Sequence, residues 1–279
     1  MPELPEVETV VRSIRRGIVG CRIAGVNVSR KKLRQPWSKS WSVQIIGKTI
    51  RGLRRRGKWI IIELDAGSLL AHLGMTGQLK VVSADVTLEP HTHLVFDFGS
   101  GLQLRFRDER RFGSVRYFAV RAALATFLDE RLGPEPFAID AEYLRTILAS
   151  TKRSIKAVLL DQSVIAGVGN IYADESLFLA RIHPANLAHR MTAKQATALS
   201  QAIEDVLTNA IELRGSSIRN YLDGTGQPGQ FQKEFQVYGR LNKPCPRCRT
   251  LIRRIRLAGR STHFCPKCQK SPVVRRQKL

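Results

Sequence analysis

Leu94-Val95-Phe96-Asp97-Phe98-Gly99-Ser100-Gly101-Leu102-Gln103-Leu104-Arg105-Phe106 decides the fold class. Apolar side chains fall on alternate residues of both arms, Leu94, Phe96 and Phe98, then Leu102, Leu104 and Phe106, the period of a strand with one buried face. Gly99-Ser100-Gly101 reads as the turn of a hairpin joining them. Outward from this hairpin, from about residue 42 to 119, lie further apolar runs of strand length, among them Trp59-Ile60-Ile61-Ile62 and Leu69-Leu70. Several short strands at this spacing predict a β-sandwich or barrel.

Helical patterns flank the strands on both sides. Pro5 suits a first helical turn, and Val7, Val10, Val11 and Ile14 recur at i, i+3, i+4 and i+7 before Gly17 and Gly20 close the segment. After the strands, Leu124, Phe127, Leu128 and Leu132 return to helical period until Gly133-Pro134 stops it. Asp140 is expected to cap a helix carrying Leu144, Ile147 and Leu148, and another helix is expected from about 154 to 161. Asn170 is expected to cap a third, with Asp174 and Glu175 near its positive end, and Thr192 with Gln195 reads as the capping box of a long fourth ending at Gly215. Gly215, Gly224, Gly226 and Gly229 mark 215 to 230 as a loop too long for a mere connector. The expected fold class is α+β. An N-terminal β-sandwich with its leading helix spans 1–133, a helical domain 134–236 and a C-terminal zinc finger 237–279.

Charge narrows the class of partner. Lys and Arg total 46 against 23 Asp and Glu, a net +23 that would repel itself strongly without an anionic partner. Nucleic acid is the leading candidate. No stretch approaches the ~18 apolar residues of a membrane-spanning helix. The opening Met1-Pro2-Glu3-Leu4-Pro5-Glu6 is acidic and broken by proline, unlike the basic start and apolar core of a secretory signal, so export is not expected.

Four of the five cysteines form two Cys-x-x-Cys pairs, Cys245 with Cys248 and Cys265 with Cys268, separated by sixteen residues. This is the spacing of a tetrahedral zinc site, and four protein ligands leave no open position for a reacting water, so one structural Zn2+ is expected. Cys21 reads as a small buried hydrophobe. From Arg240 to Leu279 there are thirteen Lys or Arg and no Asp or Glu, a concentration of cation suited to phosphate. Arg275, Arg276 and Lys278 alone would be an ordinary solvated tail.

With the opening Pro2-Glu3-Leu4-Pro5-Glu6-Val7-Glu8 and this finger together, the sequence closely resembles the formamidopyrimidine-DNA glycosylases, bacterial enzymes that remove oxidised purines. The resemblance runs nearly end to end. It includes Arg56-Gly57-Lys58, His72-Leu73-Gly74-Met75, Arg110-Arg111-Phe112-Gly113, Gly167-Val168-Gly169-Asn170-Ile171-Tyr172 and Gly259-Arg260-Ser261-Thr262. Read alone, Pro2 and Glu3 are ordinary helix-start chemistry, and Met75 and Phe112 ordinary sheet core.

The resemblance implies instead that Pro2, once Met1 is removed, supplies the nucleophilic amine. It makes Glu3 the general acid on the sugar ring oxygen, Glu6 a supporting partner for the amine or the helix start, Lys58 a proton donor or phosphate ligand during β-elimination, and Arg260 a residue of δ-elimination that also grips phosphates beside the lesion. It makes Met75, Arg110 and Phe112 the residues that fill the gap left by a flipped base. The helices around Gly167-Val168-Gly169-Asn170 become a helix–two-turn–helix in which Asn170 meets phosphate. Lys152, Arg153 and Lys156 follow as expected backbone contacts, as do His91 and His93, and the loop with Ser217, Ile218, Arg219 and Tyr221 as a cover for the extruded base.

The implied partner is double-stranded DNA containing oxidised bases or abasic sites, met by a monomer in the bacterial cytoplasm, with no membrane association. Two alternatives stay open on sequence: an endonuclease VIII-like glycosylase for oxidised pyrimidines, against which Leu4 and the Met75, Arg110 and Phe112 set weigh, and a non-catalytic zinc-dependent damaged-DNA-binding protein. The role of the Arg-, Lys- and Trp-rich stretch from Ser29 to Trp41 is not legible.

Overall fold

The computed structural model of the chain describes residues 1–31, 33–218 and 221–270. Arg219 and the basic tail residues Arg275, Arg276 and Lys278 lie outside these. The chain divides into two compact units, one made of Met1–Arg131 with Ala210–Gln232, the other of Leu132–Asn209 with Lys233–Leu279.

The first unit opens with α1 (Leu4–Ile18), β1 (Gly25–Val28) and α2 (Lys39–Ile45). Seven strands follow: β2 (Ile50–Arg56), β3 (Trp59–Leu64), β4 (Ser68–His72), β5 (Gly77–Ser83), β6 (Thr92–Asp97), β7 (Leu102–Asp108) and β8 (Ser114–Phe118), then α3 (Arg121–Asp129). They form two antiparallel four-stranded sheets, in the orders β1-β6-β7-β5 and β2-β3-β4-β8. The hairpin that decides the fold class is β6 with β7, where Leu94 pairs with Phe106 and Phe96 with Leu104. These four, together with Ile60, Ile62, Leu69 and Val115 of the second sheet and Val7, Val10, Val11 and Ile14 of α1, make one continuous core. Burying a side chain such as Phe96 or Phe106 is worth roughly 1.5–3 kcal/mol, which is why large apolar residues recur at these alternate positions.

Two features of this unit differ from the sequence reading. The region expected to hold strands from about residue 42 is helical through Ile45; one strand, β1, already precedes it at Gly25–Val28, and the other strands of this unit start from Ile50. Trp37 and Trp41 explain why: they stack edge to face at 5.3 Å, Trp37 also meets Phe96 at 5.6 Å, and its indole N–H donates to Ser42 Oγ at 2.9 Å. The segment 33 to 45 is thus pinned by aromatic packing on the core. The second difference is the segment from Ala210 to Gln232, which the sequence places with the helical domain and whose contacts lie in the first unit.

The second unit contains α4 (Ala141–Ala149), α5 (Ile155–Leu159), α6 (Asn170–Leu179), α7 (Ala193–Glu212, whose last turn belongs to the first unit) and a hairpin of β9 (Arg253–Leu257) and β10 (Arg260–Phe264). Asp140 Oδ1 accepts the Tyr143 amide at 2.7 Å at the start of α4. Before α7, the Thr192 amide donates to Gln195 Oε1 at 3.0 Å while the Gln195 amide donates to Thr192 Oγ1 at 3.2 Å, the reciprocal pattern of a capping box. No helix among the described residues is long and apolar enough to cross a membrane.

Candidate functional site

Pro2 is buried immediately ahead of α1, while Met1 is 48% exposed. Glu3 is the N-cap of α1 and forms a capping box with Glu6. One arm of that box is the Glu3 amide donating to Glu6 Oε2 at 2.8 Å; the other carboxylate oxygen, Oε1, accepts the Ser216 amide at 2.7 Å. Tyr221 adds a hydroxyl bond to the Glu6 carbonyl at 3.0 Å, and its burial pushes the phenol well above its ordinary range, with the Glu6 charge adding to the effect. Gly215 is obligatory in this arrangement: its φ is +74°, and a Cβ would lie 2.8 Å from Glu6 Oε1. The loop expected to cover an extruded base is therefore fastened at its root to the first turn of α1.

Farther along, the same loop is fastened a second time. The buried Asp223 pairs with Arg214 and accepts the amides of Thr225 and Gln227, each at 2.9 Å. The Gly224 amide donates to Ser13 Oγ on α1 at 2.9 Å, where a Cβ would collide with Ile14.

Lys58 lies in the two-residue turn of the β2–β3 hairpin, with Gly57 at φ +54°, the position that a type II′ turn reserves for glycine. Lys58 is buried, and its charge adds to burial in holding the neighbouring His72 imidazole down at about 4. His72 Nδ1 accepts the Gly74 amide at 3.1 Å, so the neutral ring carries its proton on Nε2.

Met75 and Phe112 are exposed apolar side chains at 36% and 45%, and the Arg110 guanidinium rests on the Phe112 ring at 4.7 Å. They stand on two adjacent turns, because a Cβ on Gly74 would lie 2.6 Å from the Gly113 nitrogen. Buried Asp108 lies between these turns, accepting Thr76 Oγ1 at 2.5 Å and the amides of Arg110 at 3.2 Å and Gly113 at 2.7 Å. Sequence reasoning passed over Asp108 and Thr76; the available signal was an Asp two residues ahead of an Arg-Arg-Phe turn, a position where carboxylates commonly accept backbone N–H groups. His91 is exposed at φ +66°, its carbonyl accepting the Asp108 amide at 3.0 Å. His93 departs from its expected role: it is buried and its Nε2 donates to the Asp108 carbonyl at 2.9 Å, which makes it a brace of this loop rather than a surface contact.

In the second unit, Lys152 is exposed, and Arg153 pairs with Asp161 at 2.7 Å. Lys156 does not reach the surface as expected. It is fully buried, with Nζ 2.5 Å from Asp174 Oδ1 and 3.2 Å from the Ser261 carbonyl. A buried ammonium needs a paired carboxylate, and Asp174 supplies it while also accepting the His263 amide at 2.9 Å. Glu175 next to it accepts three successive amides, Gln236, Val237 and Tyr238, at 2.8–3.0 Å. Burial raises the Glu175 carboxyl, against the pull of those three N–H groups.

Asn170 also differs from expectation. The N-cap of α6 is Gly169, in extended conformation, and Asn170 is the first helical residue with its amide Nδ2 donating to the Ser261 carbonyl at 3.0 Å. α5, α6 and strand β10, next to the tip of the β9–β10 hairpin, are thus locked together by Lys156, Asp174 and Asn170. Arg260 begins β10 just after that tip and is exposed.

Cys245, Cys248, Cys265 and Cys268 place their sulfurs within 4.8 Å of one another. A tetrahedral zinc with bonds of ~2.3 Å puts its sulfurs ~3.8 Å apart, and the distances of 3.9 Å from Cys245 to Cys268 and 3.4 Å from Cys248 to Cys265 fit that ion. The finger carries one structural zinc, and all four ligands come from the chain.

Comparison with known proteins agrees with this anatomy. Residues 1–115 match the formamidopyrimidine-DNA glycosylase N-terminal domain, 132–221 its H2TH domain, and 242–270 the zinc finger found in FPG and IleRS. The formamidopyrimidine-DNA glycosylase of Geobacillus kaustophilus is 43% identical over 97% of this chain and all of its own, and that of Chloroflexus aggregans 45% identical over 96% and 98%. The structure of Lactococcus lactis Fpg in complex with abasic-site DNA superposes at a TM-score of 0.90, with 39% identity, covering 96% of this chain and 100% of that one. The complex of wild-type L. lactis Fpg with N7-benzyl-Fapy-dG DNA gives 0.89, again at 39% identity, over 97% and 100%.

A two-sheet unit opening on a buried proline, with a helix–two-turn–helix and a four-cysteine zinc finger, is the anatomy of a DNA glycosylase of base-excision repair. The chain belongs to the formamidopyrimidine-DNA glycosylase family.

Proposed function

We propose that this chain is a bifunctional glycosylase and abasic-site lyase that removes oxidised purines, 8-oxoguanine and formamidopyrimidines, from double-stranded DNA through a Schiff base on Pro2. The observation that carries the reading is the buried position of Pro2 at the start of α1, next to Glu3. Once Met1 is removed, the amine occupies a site where burial and the positive end of a helix both disfavour an ammonium, which keeps the neutral nucleophile populated. A free α-amine is already favourable, with a reference pKa of about 7.7–8.0 against ~10.4 for lysine.

The amine nitrogen bonds to C1′ as the damaged base leaves with the glycosidic electron pair, and Glu3 protonates the ring oxygen as the sugar opens. A secondary amine yields an iminium without needing a further proton. That cation accepts the electrons released when a C2′ proton is removed, expelling the 3′ phosphate, and a second elimination expels the 5′ phosphate. Lys58 serves as proton donor or phosphate ligand in the first elimination and Arg260 as phosphate ligand in the second. Met75, Arg110 and Phe112 fill the space vacated by the extruded nucleotide, and His91, Lys152 and Asn170 contact the DNA backbone. The bound zinc holds the finger's fold and takes no part in the chemistry.

Borohydride reduction in the presence of 8-oxoguanine duplex tests the mechanism. Protein lacking Met1 is expected to form a covalent adduct through Pro2, and N-terminally acetylated protein none. Full strand cleavage by the acetylated form would overturn the Schiff base, and a strong preference for thymine glycol would overturn the purine assignment. Affinity is expected to fall steeply with salt as phosphates are neutralised.

A further inference from the structure

Among the described residues, every partner of the Asp108 carboxylate is tied to one of the three exposed side chains assigned above to the vacated space. Oδ1 accepts the hydroxyl of Thr76, the residue after Met75, and the amide of Arg110 itself; Oδ2 accepts the amide of Gly113, the residue after Phe112. Thr76 Oγ1 in turn accepts the Arg110 amide at 3.1 Å. The Asp108 main chain is held as firmly, its carbonyl taking His93 Nε2 at 2.9 Å and its amide donating to the His91 carbonyl at 3.0 Å. The segment that carries Trp37 and Trp41 braces the same loop, since the Arg34 amide donates to the Arg111 carbonyl at 3.1 Å. Asp108 is fully buried, whereas Met75, Arg110 and Phe112 are exposed.

We infer that Asp108, with Thr76, is the positioning residue of the wedge: one buried carboxylate joins the Met75 turn to the Arg110–Phe112 turn and presents the three side chains as a single preformed body. The inference rests on the proposed wedge role of those three residues and adds what makes the wedge effective. Opening a base stack is costly, and side chains that had first to be ordered would set their lost conformational entropy against insertion. A carboxylate is the right group for the joint because it only accepts, and all three partners donate. An amide in its place would turn one acceptor into a donor facing an N–H or a hydroxyl.

The test uses a duplex with a tetrahydrofuran abasic analogue beside 2-aminopurine, whose fluorescence rises when the stack opens. It sets Thr76→Val and Asp108→Asn against Thr76→Ser, which keeps the hydroxyl. Thr76→Val and Asp108→Asn are expected to slow the fluorescence rise, and cleavage of lesion duplex, by about tenfold to a hundredfold, the scale of a misplaced group away from the chemistry. Thr76→Ser is expected to restore both. Borohydride trapping on a single-stranded abasic oligonucleotide, which has no stack to open, is expected to stay near the parent rate in all three. A parent-like rise from Thr76→Val overturns the inference, as does an equal loss on single and double strands, which would make Asp108 a stability residue only. A double variant, Met75→Ala with Phe112→Ala, separates the two readings. If it opens the stack as fast as the parent, the wedge itself is wrong and this inference falls with it; if it fails to open the stack while Thr76→Val succeeds, only the role of Asp108 falls.

Discussion

The carboxylate of Glu6 and the backbone amide of Ser216, 210 residues apart in sequence, meet at 2.7 Å in a buried setting. The same carboxylate accepts the Glu3 amide, so a single side chain fixes both the residue that follows Pro2 and the root of the long loop. Glu6→Gln keeps the size and replaces one acceptor oxygen with a donor, leaving one buried N–H facing another. A loss of about 1–3 kcal/mol of stability is expected, the cost of an unsatisfied buried polar group. Hydrogen exchange is expected to accelerate at 215 to 217 and at the first turn of α1 together. Unchanged exchange at either segment would show that the carboxylate does not couple them.

That relationship marks the limit of what the chain reveals before folding. Alternation in Leu94 to Phe106 and the 3.6-residue period of Val7, Val10, Val11 and Ile14 are local signals of burial, and both elements appear where they point. The zinc ligands are equally local, two pairs at fixed spacing. The fold class and the metal were therefore legible, and the family followed from short motifs. What was not legible depends on distant partners. Lys156 looks like one more surface cation until Asp174 and the Ser261 carbonyl close around it, and His93 looks like a twin of His91 until its ring meets the Asp108 carbonyl. Trp37 and Trp41 carry no period at all, and only the packing of Trp41 on Trp37, and of Trp37 on Phe96, makes a helix at Lys39–Ile45 sensible.

His72 makes acid stability of the first unit predictable in sign. Burial, reinforced by Lys58, lowers its pKa from 6.5 to about 4 in the folded state. Between those values the unfolded chain binds a proton that the folded chain does not, so stability rises with pH across that window and is lost as pH falls through it. The full difference corresponds to roughly 3 kcal/mol, most of it lost by pH 4. His72→Gln is expected to flatten the stability profile between pH 6.5 and 4 in urea titrations at several pH values. A profile that keeps the parent slope would assign the acid sensitivity to another group.

Zinc removal is expected to act on the second unit through its packing. Cys245 and Cys265 are buried in one apolar cluster with Phe178, Val237 and Ile252, so releasing the metal leaves thiols where the cluster needs a closed joint. Structural zinc in small fingers is worth about 10–16 kcal/mol of apparent binding energy, far more than such a hairpin can replace. Cys248→Ser is expected to lower the zinc content below one per chain, unprotect the amides of 240 to 270 in hydrogen exchange, and weaken duplex binding, while the β-sheets keep their protection. Full duplex affinity in a zinc-free chain would show that the finger does not hold DNA.

The tip of the finger hairpin contains a residue that the backbone does not suit. Leu257 pairs with Arg260, leaving Ala258 and Gly259 as a two-residue turn with φ of +47° and +71°. Positive φ at both positions defines a type I′ turn, which favours Asn-Gly because an L side chain with a plain Cβ is strained there by roughly 1–2 kcal/mol. Ala258 is exposed, so an asparagine meets no packed neighbour. Ala258→Asn is expected to stabilise the hairpin by about 0.5–1 kcal/mol, part of that strain, and to slow zinc loss to a chelator. Because Arg260 is the next residue but one, the same change tests whether turn stiffness matters to phosphate binding. Duplex affinity should hold or improve, whereas a faster zinc loss would mean that the left-handed conformation of Ala258 is not a source of strain.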